Sequence, residues 1–254
     1  MSILRSDIIA DMHTHTIFSL HAYSTIEENI RAAKEQNLKY LCISDHYWND
    51  GTDVHRRNEI NRIKYMEDRI CPWEKDLRVI SSSEFNLGQE LYEYKKIDNL
   101  VWKPIGLHSF VFKNGLESMG LDYLLFLFYD AAKHGYNAFV HLERELYKLN
   151  YKSYSKEELA KFMYKIVDLA CKNNIYLEVN ESSLITDEVG GVDRLITWLT
   201  YAKKKDCNIY LGSDAHYSME IGRFDRSICV LNQIGYPKEL VLNCDKDKLK
   251  SLFP

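Results

Sequence analysis

Histidine, aspartate and glutamate recur in this sequence where short apolar runs stop. Asp11, His13 and His15 close the first run, Asp45 and His46 the second, and Glu84 the third. His108 closes the fourth, His141 the fifth, Glu178 and Asn180 the sixth, and Asp214 and His216 the seventh. Imidazole nitrogen and carboxylate oxygen without thiolate suit Zn, Mn, Fe or Co, whereas Ca or Mg would ask for more oxygen ligands. Any one histidine is more often structural or exposed, so the argument rests on coincidence. Of nine histidines, six stand at strand ends, His21 lies in the first loop, and only His55 and His134 fall elsewhere. Alternate side chains of an extended segment share a face. His13 and His15 can therefore grip one ion, with Asp11 on the same side. Asp11 then reads as an acceptor for the N–H of a ligating imidazole, fixing its tautomer. Asp45 reads the same way or as a loop cap, and Glu178 and Asn180 as hydrogen-bonding supports.

These residues need a scaffold that brings distant segments to one rim. Strand candidates rich in Ile, Val, Leu and Tyr cover 8–12, 40–44, 77–82, 101–107, 137–140, 175–179 and 209–212, as buried parallel strands do. Helical patterns fill the intervals at 26–37, 121–134, 156–173, 192–205, 225–233 and 245–253. Ser24 with Glu27, and Thr25 with Glu28, offer two overlapping capping boxes for the first helix. Strand–helix units in series predict an α/β fold, a distorted (βα)7 barrel, as one domain over 1–254. In such barrels the C-terminal strand ends carry the site. The stretch 85–100 lacks a helical pattern, so the barrel is expected to be irregular there.

Composition narrows the function classes. With 46% hydrophobic and 28% charged residues over 254 positions and a net charge of −4, the chain is long enough for a proper core and shows no basic surface for nucleic acid. The run Lys203-Lys204-Lys205 reads as a solvated helix end. No apolar run approaches membrane-spanning length, and the first strand candidate begins too early to leave room for a signal peptide. The six cysteines, at 42, 71, 171, 207, 229 and 244, show no Cys-x-x-Cys pair and read as reduced thiols of a cytoplasmic protein.

The segments Asp11-Met-His-Thr-His15, His21-Ala-Tyr-Ser-Thr25, Ser44-Asp-His46, Glu84, Gly106-Leu-His108, Val140-His141, Leu177-Glu-Val-Asn180 and Gly212-Ser-Asp-Ala-His216 together resemble the PHP (polymerase and histidinol phosphatase) family across essentially the whole chain. The likeness is greatest to its stand-alone bacterial phosphatases, which bind three metals in a distorted seven-stranded barrel. The resemblance implies one site of His13, His15, Glu84 and Asp214, a second of His21, His46 and His216, and a third of Glu84, His108 and His141. Many relatives carry Asp where His21 stands. Where relatives often have His-Pro, this chain has His141-Leu-Glu-Arg144. Arg144 is a candidate to reach a substrate phosphate, the alternative being a surface arginine.

Three divalent ions, Zn, Mn or Fe, against two anionic ligands leave an excess of positive charge that a small phosphorylated substrate would meet. The expectation is hydrolysis of phosphomonoesters by a hydroxide whose pKa coordination lowers to about 7, with Asp214 and His216 as candidate catalytic residues. Metal-bound water, His216 or another rim group could protonate the leaving alkoxide. Tyr47, Trp48, Asn49 and His55 either wall a substrate pocket or pack as an aromatic-rich loop. Rival readings are a histidinol-phosphate phosphatase, a polymerase-associated exonuclease, a metal-dependent amidohydrolase and a non-catalytic metal-binding regulatory module. The oligomeric state is not legible.

Overall fold

A computed structural model of the chain describes residues 2–47, 65–66, 69, 75–88, 100–108, 119–144, 146, 154–185 and 191–254. Its strands are β1 (Ala10–Thr14), β2 (Tyr40–Ile43), β3 (Arg78–Ser81), β4 (Phe85–Asn86), β5 (Pro104–Gly106), β6 (Ala138–Phe139), β7 (Tyr176–Asn180) and β8 (Ile209–Gly212). All neighbouring strands run parallel, in the orders β1-β2-β3 and β4-β5-β6-β7-β8. The seven expected strands are all present, and a short additional strand, β4, falls at the start of the stretch 85–100 expected to be irregular. Beyond β3, Glu84 pairs with the end of β2, its N–H donating to Asp45 O at 3.0 Å while its carbonyl accepts from Tyr47 N at 2.9 Å. Phe85 and Asn86 then turn to pair with β5. One strand path thus links the two sheets.

Hydrogen bonds also cross the seam between β8 and β1, differently at its two ends. At the C-terminal end the strands meet directly: Asp214 N donates to His13 O at 2.8 Å and His15 N to Ala215 O at 2.9 Å. At the other end Asn243 fills the gap. Its Nδ2 donates to Ala10 O (2.8 Å) and Leu211 O (2.9 Å), and its Oδ1 accepts from Leu211 N at 2.6 Å.

The helices are α1 (Ile26–Glu35), α2 (Leu121–Lys133), α3 (Lys156–Lys172), α4 (Glu181–Ile185), α5 (Gly191–Lys204), α6 (Asp225–Ile234) and α7 (Lys246–Leu252). Of the two capping boxes open to α1, Thr25 with Glu28 is the one formed, Thr25 N donating to Glu28 Oε2 at 2.7 Å and Glu28 N to Thr25 Oγ1 at 3.3 Å. The Ser24 hydroxyl instead accepts from Ser218 N at 2.8 Å, tying the first loop to the last. Apolar residues fall into an inner set, including Ala10, Met12, Cys42, Ile80, Trp102 and Tyr210, and outer sets packed beneath the helices. Strands buried on both faces are what a parallel sheet under helices requires.

The cysteine reading of the sequence is corrected. Cys171 at the end of α3 and Cys207 before β8 form a disulfide, with Cα atoms 5.1 Å apart. The expectation of six reduced thiols fails, and with it the cysteine argument for a cytoplasmic location. The basic run is the solvated helix end expected, with Lys204 and Lys205 exposed, although Lys203 also donates to Ile234 O at 2.7 Å and Lys205 meets Asp168 at 3.0 Å. Among the described residues no helix is long and apolar enough to cross a membrane.

Candidate metal centre

The centre begins with an irregularity in β1. Asp11 pairs with Leu41 but Thr14 with Ile43, so β1 carries one residue more than β2 between these points. Such a bulge flips the facing of everything beyond it. His13 and His15 turn inward, while Asp11 stays on the outer side with Leu41. Asp11 therefore bonds no imidazole, contrary to the sequence reading. Its carboxylate accepts instead from the backbone N–H groups of Ser213 (3.1 Å), Gly222 (2.9 Å) and His13 (3.4 Å), fastening the end of β8 to β1.

Inside the rim the other candidates converge. His13 Nδ1 lies 2.6 Å from Glu178 Oε1, and its Nε2 lies 3.0 Å from His15 Nε2. His15 Nδ1 meets Ser19 Oγ at 2.9 Å, and that hydroxyl donates to Asp45 Oδ1 at 2.7 Å. Glu84 reaches His141 Nε2 (2.7 Å) and His108 Nε2 (3.1 Å) through Oε1, and His46 Nδ1 (2.9 Å) through Oε2. Asp214 Oδ1 lies 3.0 Å from His15 Nε2, and Oδ2 takes an ion pair from Arg144 Nη1 at 2.9 Å. The rings of His21 and His216 lie 4.6 Å apart, and His21 Nε2 is 3.3 Å from His46 Nε2. Three overlapping groups have ligand atoms within 4.8 Å of one another: His15, His46 and His216; His13, His15 and Glu84; His46, Glu84 and His108. His21, His141 and Asp214 border these groups.

A PHP domain model matches residues 11–182 of the sequence. The chain belongs to the PHP domain family. It is 29% identical to a probable phosphatase of Thermoanaerobacter sp. over 96% of this chain and 93% of the relative. It is 28% identical to a probable phosphatase of Caldanaerobacter subterraneus, over 96% and 90%. In fold it is similar to histidinol phosphate phosphatase from Lactococcus lactis, solved with zinc, L-histidinol and phosphate, at a TM-score of 0.62 and 18% identity over 89% of this chain and 91% of that one.

The hydrogen bonds of this PHP chain fix tautomers, and the tautomers call for cations. Glu178 takes the Nδ1–H of His13. Ser19 Oγ, which spends its own proton on Asp45, takes the Nδ1–H of His15. Both Nε2 atoms then turn toward one point 3.0 Å across, where neutral rings would set lone pair against lone pair. A cation held between them would satisfy both lone pairs. Burial opposes charge on His13, yet Glu178, Glu84 and Asp214 together raise its pKa well above the imidazole range. Burial, aided by the neighbouring histidines, drives His15 well below that range. Against their own burial, the facing histidines hold the Glu84 carboxyl well below the usual range, and Arg144 with His13 does so for Asp214.

Supports surround these groups. Glu178 Oε2 accepts from His141 N (2.7 Å) and from Asn180 Nδ2 (3.1 Å), and Asn180 Nδ2 also lies 3.3 Å from Asp214 Oδ2. Arg144, no plain surface residue, also donates to Ser182 Oγ at 3.1 Å. His141 and Asp214 adopt positive φ of 28° and 54°, strain that clusters at functional positions. Sequence reasoning missed Ser19, which no motif marks, and singled out no role for Glu143, a buried carboxylate between His141 and Arg144 in the chain. Tyr47 is buried and its ring lies 5.2 Å from that of Phe85, so it belongs to the core. Trp48, Asn49 and His55 lie outside the described residues. His134, at the end of α2, bonds Asp130 O at 2.8 Å.

Proposed function

We propose that this chain, acting as one domain over 1–254, hydrolyses phosphate monoesters at a trinuclear centre held by His13, His15, His21, His46, Glu84, His108, His141, Asp214 and His216. One observation carries the reading: three overlapping ligand groups share His15, His46 and Glu84 inside a single buried rim. The relatives' common name, probable phosphatase, supports the reaction class.

When bound, divalent ions would supply Lewis acidity and an activated water at neutral pH. The chain's own groups prepare the site for them. Glu178, and Ser19 with Asp45, orient the imidazoles of His13 and His15 so that Nε2 faces the centre. Glu84 is positioned to bridge, since its two oxygens face different histidines. His216 commits Nδ1 to Asp214 O at 2.9 Å, so its Nε2 either ligates or carries a proton to the leaving alkoxide, but not both. Its grouping with His15 and His46 favours ligation. Arg144, on Asp214, is placed to hold a phosphate oxygen at the edge of the centre. Water and ROPO₃²⁻ would give ROH and HPO₄²⁻.

The test is metal analysis of the purified protein, then turnover of a generic phosphomonoester after loading with Mn or Zn. Three ions per chain and measurable hydrolysis are expected, and His13→Ala and Asp214→Ala should lose both together. Full activity with unchanged metal in either variant would refute the assignment. A panel including histidinol phosphate separates a general phosphatase from one devoted to the substrate that names the Lactococcus lactis enzyme.

A further inference from the structure

Among the described residues, the centre is most open on the side of His21 and His216. His13, His15, Glu84, His108, His141 and Asp214 are all buried, whereas His21 is exposed and the His216 side chain is 23% exposed. Substrate entering on that side would pass these two histidines, and its organic group would point out beside them. Exposed apolar residues flank both histidines along the chain. The large hydrophobic residues exposed in this structure include Ile17, Phe18, Leu20 (74%), Tyr23 (65%), Tyr217 and Met219 (70%). They sit on two short segments, 17–23 and 217–219, which bracket His21 and follow His216. Tyr23 N donates to His216 O at 2.8 Å and Ser218 N to Ser24 Oγ at 2.8 Å, tying the segments together, while Ile17 N donates to Ser24 O at 3.0 Å and closes the first of them. The rings of Tyr23 and Tyr217 stack 4.8 Å apart at 15°. Scattered exposed hydrophobics need no explanation, but a contiguous group marks a binding surface.

The occupant follows from position. A group leaving phosphorus on the open side emerges beside His21 and His216 and meets this collar first. Polar leaving groups would gain nothing from it, whereas apolar ones would be taken from water. Resting on the phosphomonoesterase reading above, we propose that the collar of Leu20, Tyr23, Tyr217 and Met219 seats the organic group of the substrate and selects phosphomonoesters of apolar, ring-bearing alcohols over small polar ones. These residues set specificity and touch no reacting atom.

The experiment compares 2-phenylethyl phosphate with ethyl phosphate, primary alkyl esters with closely matched leaving groups, on the full chain loaded with Mn or Zn. Wild type should prefer the phenylethyl ester in kcat/KM by about tenfold or more. The double variant Tyr23→Ser/Tyr217→Ser should bring the two esters to within about twofold, chiefly through KM of the phenylethyl ester. Should that variant lose metal, Leu20→Ser/Met219→Ser carries the same test from the rim. A wild-type ratio near one, or an unchanged ratio in variants that keep their metal, overturns the collar while leaving the phosphatase reading intact. A dimer that these substitutions dissociate, with the preference untouched, assigns the surface to a second copy and also overturns it. Metal-loaded protein that turns over neither ester sinks both readings.

Discussion

Glu178 lies 2.6 Å from His13 Nδ1 through one carboxylate oxygen and holds the backbone N–H of His141 at 2.7 Å with the other. One side chain on β7 thereby sets the orientation of candidate ligands from β1 and from the loop after β6. Replacing the carboxylate by an amide keeps the shape but no longer demands the Nδ1–H tautomer. Glu178→Gln should weaken metal binding by roughly 10–100-fold with little loss of fold. Chelator competition measures this, and unchanged affinity would show that His13 needs no such partner.

Ser19 relays between His15 and Asp45. In Ser19→Ala, the His15 Nδ1–H and the His46 N–H, which donates to Ser19 Oγ at 3.1 Å, both lose an acceptor in a buried place. A stability loss of about 1–3 kcal/mol is expected by denaturant unfolding, together with lower metal occupancy. Loss of stability without loss of metal would reduce Ser19 to a packing role.

Gly212 is fixed by close approach. A Cβ there would overlap Glu178 Oε1 and stand 2.6 Å from the His13 Cβ. Neither can yield without disturbing the centre, so Gly212→Ala should cost about 3 kcal/mol or more and release metal. A normally loaded Gly212→Ala protein would contradict the described fit of β8 against β1.

Asp11 supplies a pH test. Burial pushes its carboxyl from 3.8 up to about 6, despite its backbone donors. Between those values the folded chain keeps a proton that the unfolded chain has lost, so Asp11 makes stability fall as pH rises through that window. The loss should reach about 3 kcal/mol relative to Asp11→Asn, whose side chain does not titrate. Unfolding free energies of the two proteins from about pH 4 to 7 give the difference directly. A flat or rising difference would mean that the three N–H donors keep Asp11 ionised.

Much of this was readable beforehand because buried parallel strands announce themselves by composition. The reading of 209–212 matches β8 exactly in its bounds (Ile209–Gly212), and 40–44 differs from β2 (Tyr40–Ile43) by one residue. What escaped was whatever breaks a period. The β1 bulge depends on pairing with β2, so alternation placed Asp11 beside His13 when it faces away. The short strand at Phe85–Asn86 follows from pairing with β5 across to the second sheet and leaves no mark in residue type. Ser19 looked like any loop serine, since its role exists only once Asp45 is folded against it. Cys171 and Cys207 are 36 residues apart with no motif between them, and only the approach of α3 to the start of β8 brings them together.

The direct meeting of β1 and β8 has a consequence for how the molecule comes into being. Ser213 N–H and Asp11 Oδ1 are separated by 202 positions along the chain, and His13 and Asp214 straddle the same junction. No early portion of a growing polypeptide holds both halves of the cation trap. Such distant pairings form late and slowly, so ion capture should trail collapse of the remaining strands, and loaded protein should resist unfolding at that junction by mass action.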